Sequence, residues 1–199
     1  MARTIDKLLQ NRRRKQILEA AAECFVVNGF HQTSMKQICS ASGLSAGSVY
    51  HYFENKDAII EGIAEEFDSD SKKFFKTLDK KKNFIYDFLK ASKARFIETQ
   101  RYVRYGRLVV EIYAESFRNE KVKEIIQDKN KIALNSLVES INNAIQLKQI
   151  NDSYNPEMLA HTLLALIDGI ENRILQYPEI RLSELFQPFE QVCIKLLSL

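Results

Sequence analysis

The chain has no tryptophan, and its 199 residues include only three prolines, three cysteines and six glycines. So few helix breakers exclude a collagen-like or Gly/Pro-rich low-complexity chain and leave room for long helices. Cys24, Cys39 and Cys193 are odd in number and none belongs to a Cys-x-x-Cys pair. A disulfide framework and a zinc site therefore both lack support, and a reducing cytoplasm fits best. No apolar run reaches the ~18 residues of a membrane span, and the basic, polar first residues are not followed by an apolar stretch. The expectation is a cytoplasmic chain with neither a membrane segment nor a secretory signal. With well-separated His31, His51 and His161, no His-Glu-x-x-His and no Gly-x-Ser-x-Gly, no metal, no cofactor and no enzyme activity are expected.

What is present is an ordinary globular composition, 45% hydrophobic and 28% charged, long enough for one domain or two small ones. The net charge of +3 is unevenly spread. Residues 1–56 hold eight bases against four acids, whereas the rest holds 21 bases against 22 acids. A basic first quarter that includes Arg12-Arg13-Arg14-Lys15 suits a polyanion such as nucleic acid, although a solvated helix start gives the same run.

Apolar periodicity predicts helices throughout and no strand. Ile17, Leu18, Ala21, Ala22, Phe25 and Val26 mark one face of a helix beginning near residue 10 and ended by Asn28-Gly29. Ser34 and Gln37 form a capping-box pattern ahead of a short helix with Met35, Ile38 and Cys39 on its apolar face. Gly43 breaks that helix, Ser45 can cap a second one over Ala46–Phe53, and Asn55 a longer one through Phe67. Further helices are expected near 83–99, 101–117, 120–148, 155–176 and 182–198. Asn155 with Pro156 provides a helix start, and Pro178 bars continuation.

Two short helices around Gly43-Leu44, behind a longer amphipathic helix, form a helix-turn-helix pattern. Its second helix places its first residues against base edges in the major groove. Ser45, Ala46, Gly47 and Ser48 are small enough for close approach. Gly47 inside a helix costs about 1 kcal/mol relative to Ala, and close approach accounts for it. The hydroxyl of Tyr50 and the ring of His51 can donate to phosphate. Lys56, in a first turn where the helix dipole disfavours a cation, makes sense if phosphate is held there. Val49 and Phe53 read as core.

Phe25…Gly29-Phe30, Thr33-Ser34-Met35, Ile38, the run from Gly43 to Phe53 and Lys56-Asp57-Ala58 resemble the DNA-binding end of the tetracycline-repressor (TetR) family over about residues 12–63. Ala165-Leu166-Ile167-Asp168-Gly169-Ile170 is similar to a segment of that family's eighth helix. The resemblance implies an all-α homodimer of about nine helices, with dimerisation through the last two. It also implies a helix-turn-helix domain over 1–55 and an effector-binding and dimerisation domain over 56–199. Carried over by position, Thr33 and Ser34 meet phosphate, Ser45, Gly47 and Ser48 face bases, and Tyr50, His51 and Lys56 hold the backbone. The chain departs from the family in the order His51-Tyr52, often reversed there, and in Pro188, which falls within the apolar pattern of the last helix and either kinks it or marks its start.

Ten of the twenty aromatic residues lie between positions 74 and 117. Single aromatics at helical spacing are usually core, but such a cluster suits a small apolar or aromatic effector. Phe74, Phe88, Phe96, Arg107, Glu111, Tyr113 and His161 are the candidates for its pocket. Glu111 stands one turn from both Arg107 and Glu115, so a surface row of charges explains it about as well. The expected function is a transcriptional regulator that binds double-stranded operator DNA, a repressor released by its effector. An activator or a regulator without effector, a helical binding protein without operator function, and a helical enzyme are the rival readings.

Overall fold

The computed structural model describes residues 2–66 and 83–198. They form nine helices: α1 (Ala2–Asn28), α2 (Met35–Ser42), α3 (Ala46–Tyr52), α4 (Lys56–Glu66), α5 (Phe84–Arg101), α6 (Val103–Ser116), α7 (Glu120–Gln146), α8 (Pro156–Gln176) and α9 (Leu182–Leu197). The described residues contain no strand, and none of these helices is long and apolar enough to cross a membrane.

Helix starts follow side-chain chemistry. Asn55, Asn83, Asn119 and Asn155 each accept backbone N–H groups at the first turn of α4, α5, α7 and α8, at 2.8–3.2 Å. Those donors have no partner inside the helix, so each cap contributes about 1 kcal/mol. Stops are equally local. Gly29 (φ 76°) and Gly43 (φ 67°) adopt the left-handed conformation after α1 and α2. Lys148 does so after α7 with φ 54°, and the N–H of Gln149 donates to the Ala144 carbonyl at 2.9 Å. This is a Schellman ending with lysine where glycine is favoured.

One helix start differs from the sequence expectation, and one of the two alternatives at Pro188 is set aside. Helix α1 starts at Ala2, about two turns before the expected start near residue 10, because nothing in residues 2–10 breaks a helix. Pro188 neither begins nor ends α9, which runs through it from Leu182 to Leu197. Its buried face, Phe186, Phe189, Cys193 and Leu197, outweighs the one ladder hydrogen bond that proline removes.

The described chain divides into two compact units. The first takes the residues up to 66 together with Arg107–Ile126, and the second takes 83–106 and 127–198. The first compact unit thus extends beyond a boundary at 55/56, adding α4, most of α6 and the start of α7. Its core joins Ile17, Leu18, Ala21 and Phe25 of α1 to Ile38, Val49, Ile59, Ile60 and Ile63, and to Leu108, Ile112, Val122 and Ile126.

The core of the second unit is built on aromatic rings. Phe96 lies edge-on to Phe189 at 5.2 Å and to Phe186 at 6.4 Å, and Phe88 stacks on Phe189 at 6.5 Å. Leu137, Ile141, Leu159, Leu163 and Ile167 complete it. Cys193 is buried among these groups, which pushes its thiol up to about 12, so it behaves as a small hydrophobe. On the flank of this core Arg95 pairs with Glu171 at 2.5 Å, and Thr99 donates to the same carboxylate at 2.6 Å.

Candidate nucleic-acid interface

The first unit presents α3 by holding its neighbours. Ser34 builds the anticipated capping box, its hydroxyl accepting from Gln37 N–H at 3.3 Å and its own N–H donating to Gln37 Oε1 at 2.7 Å. Ile38 anchors α2 in the core and Val49 anchors α3, both fully buried. Gly43 closes the turn between them with its N–H on the Ser40 carbonyl. Ser45 caps α3 by accepting from Ser48 N–H at 3.2 Å.

With Val49 and Phe53 inward, Ser45, Ala46, Gly47 and His51 are exposed, Ser48 is half-buried and Tyr50 is 51% exposed. A Cβ built on Gly47 meets nothing within 4 Å. Packing among the described residues therefore gives no reason for glycine here. His51 sits edge-on to Tyr52 at 5.2 Å, and Tyr52 is half-buried against the core. Of this pair, His51 is the residue left facing solvent.

Two of the expected phosphate contacts are placed otherwise. Thr33 is only 2% exposed, and its hydroxyl lies at hydrogen-bond distance from the carbonyls of Gly29 (2.8 Å) and Cys24 (3.1 Å). It ties the α1–α2 loop to α1 and is not available to DNA. Lys56 is half-buried, with its ammonium donating to the carbonyls of Phe30, His31 and Thr33 at 2.6, 3.0 and 2.9 Å, above the Phe30 ring at 4.5 Å. Three donors meet three acceptors, so this cation serves the fold.

The basic run on α1 is also partly occupied. Arg14 pairs with Glu65 at 3.1 Å and with Glu66, while lying over the Phe53 ring. Lys15 stands 3.7 Å from Glu19. Arg13 donates to Gln16, whose amide in turn donates to the Ser42 carbonyl at the end of α2, at 2.7 Å. Arg12 and Lys36 remain exposed. Gln16 and the α4 carboxylates were not anticipated, because their partners lie 26 to 52 residues away in sequence.

The expected pocket residues are divided between the two units. Phe88 and Phe96 are fully buried in the second core, filled on all sides by neighbouring rings and aliphatic groups. Arg107, Glu111 and Tyr113 belong to the first unit, where Glu111 accepts the backbone N–H of Phe30 at 3.2 Å. His161 is exposed on α8, and Phe74 lies outside the described residues. Helical spacing alone cannot tell a residue lining a cavity from one filling a core.

A short, capped, solvent-facing helix of small residues, carried on a basic trihelical body, defines a helix-turn-helix DNA-binding unit. Residues 17–63 match the family model described as bacterial regulatory proteins, tetR family. The HTH-type transcriptional regulator UidR of Escherichia coli (strain K12) is 32% identical over 159 residues, 79% of each chain. The structure of Salmonella enterica GusR, also 32% identical, covers 94% of this chain and 95% of its own with a TM-score of 0.77. Bacillus subtilis FadR, solved in complex with stearoyl-CoA, superposes with a TM-score of 0.75 over 90% of this chain and 97% of its own; at 19% identity that likeness concerns the fold alone. The chain belongs to the tetR family of bacterial regulatory proteins. It is a DNA-binding transcriptional regulator with the all-α fold of that family.

Proposed function

We propose that the protein is a cytoplasmic, homodimeric repressor that leaves its operator when a small apolar or aromatic effector binds. Residues 1–55 carry DNA recognition, and residues 56–199 carry effector binding and dimerisation through α8 and α9. The observation that carries this reading is α3 itself, whose exposed face of Ser45, Ala46, Gly47, Ser48, Tyr50 and His51 includes a glycine that no intramolecular contact requires. Ser45, Gly47 and Ser48 meet base edges, while Ser34, Tyr50 and His51 meet phosphate. Each protomer reads one half-site, the two about 34–36 Å apart on one face of the duplex.

Solvent-facing Met158 and Val192, 55% and 49% exposed on α8 and α9, support the choice of those helices for dimerisation. An effector needs a coupling of about 1–3 kcal/mol to change operator affinity roughly 5–150-fold.

The test is a gel-shift titration, over a series of salt concentrations, on the DNA upstream of the protein's own gene. Binding is expected to weaken steeply with salt and to be lost on replacing that duplex with unrelated sequence. A chain that stays monomeric and ignores every duplex at low salt would end this reading.

A further inference from the structure

The α1–α2 loop is gripped from two sides within the first unit. From one side, Lys56 at the start of α4 donates to the carbonyls of Phe30, His31 and Thr33. From the other comes α6. Its Leu108 and Ile112 are bedded in the core of the unit, 3% and 1% exposed, which sets the position of the turns that follow. On those turns Glu111 accepts the Phe30 N–H at 3.2 Å, and a carboxylate oxygen of Glu115 lies 3.3 Å from His31 Nε2. Glu115 is 6% exposed, an uncommon place for a carboxylate without such a role.

We infer that Glu111 and Glu115 are positioning residues for DNA recognition, holding the α1–α2 loop, and through it α2 and α3, from the C-terminal half of α6. The loop ends at Ser34, the cap of α2, and only Gly43, Leu44 and Ser45 separate α2 from α3. A shift of the loop therefore carries the recognition helix with it. Helix α6 begins in the second unit and continues into the first. This inference rests on the operator-binding reading for its consequence, but the clamp can be measured without DNA.

Two double variants separate acceptor from charge: Glu111→Ala with Glu115→Ala, and Glu111→Gln with Glu115→Gln. Both remove two negative charges, which by simple electrostatics tightens binding to a polyanion. The glutamines keep a carbonyl acceptor and the alanines do not. In the alanine variant the Phe30 amide, followed by NMR hydrogen exchange, is expected to exchange at least about ten-fold faster than in the parent protein, as local opening becomes easier. Its affinity for the upstream duplex should fall about 5-fold or more despite the added positive charge. The glutamine variant should retain both protection and affinity. Unchanged Phe30 protection in the alanine variant, or equal DNA affinity of the two variants, overturns the inference. If the parent binds no duplex, the operator reading has failed, and the exchange result alone judges the clamp.

Discussion

Gly47 and Lys56 show how one side chain can matter through what it leaves open or what it fills. A methyl group at position 47 meets nothing in the chain and improves helix propensity. Gly47→Ala is therefore expected to stabilise the protein by up to about 1 kcal/mol in thermal melting while weakening operator binding in gel shift. If stability and binding rise together, the base-facing role of Gly47 is wrong. Lys56 is the opposite case. Its ammonium satisfies three carbonyls, so Lys56→Met leaves them unpaired and should cost about 1–3 kcal/mol of stability. The same variant should leave the salt slope of DNA binding unchanged, because no phosphate contact is lost. A slope lower by about one unit would instead return Lys56 to the phosphate backbone. Its position opposite the helix dipole was legible in the sequence, and so was the need for negative partners. That these are carbonyls of a loop 23 to 26 residues earlier was not, because backbone groups have no signature in residue type.

At the level of elements, many starts and stops are written locally, although the start of α1 at Ala2 carries no such mark. Ser34-x-x-Gln37, Asn155-Pro156 and Gly43 act on groups within one turn of themselves, so residue identity suffices. Pro188 was ambiguous because its effect depends on what the rest of α9 gains by staying helical, and that gain lies in Phe186 and Phe189 packing on α5. The aromatic cluster was ambiguous for the same reason, since spacing finds a face but not what covers it. Phe96 touches both rings of α9, so Phe96→Ala should lower unfolding free energy by about 3–5 kcal/mol in denaturant titration. A loss under 1 kcal/mol would mean that Phe96 faces space that a ligand can occupy and is not sealed core.

For the whole molecule, the proposed dimerisation through α8 and α9 would link folding to association. Anything that binds only the native form stabilises it by mass action, so the melting temperature should rise with protein concentration over about a hundred-fold range. A concentration-independent melting curve together with a monomeric mass in light scattering would remove the twofold arrangement, and with it the paired half-sites.

The sequence by itself determined the helices, their caps and the identity of the reading helix, because periodicity, capping and turn chemistry act between residues a few positions apart. It also marked Val49 and Phe53 as the inward side of that helix, and thereby which neighbours face out. Only the tertiary structure decided that Thr33 and Lys56 serve the loop, that Glu111 belongs beside Phe30, and that Phe88 and Phe96 are core. Apart from Thr33, whose partners Gly29 and Cys24 are near in sequence, each of those roles depends on a partner far along the chain, and burial and hydrogen bonding are properties of what surrounds a side chain once the chain has folded.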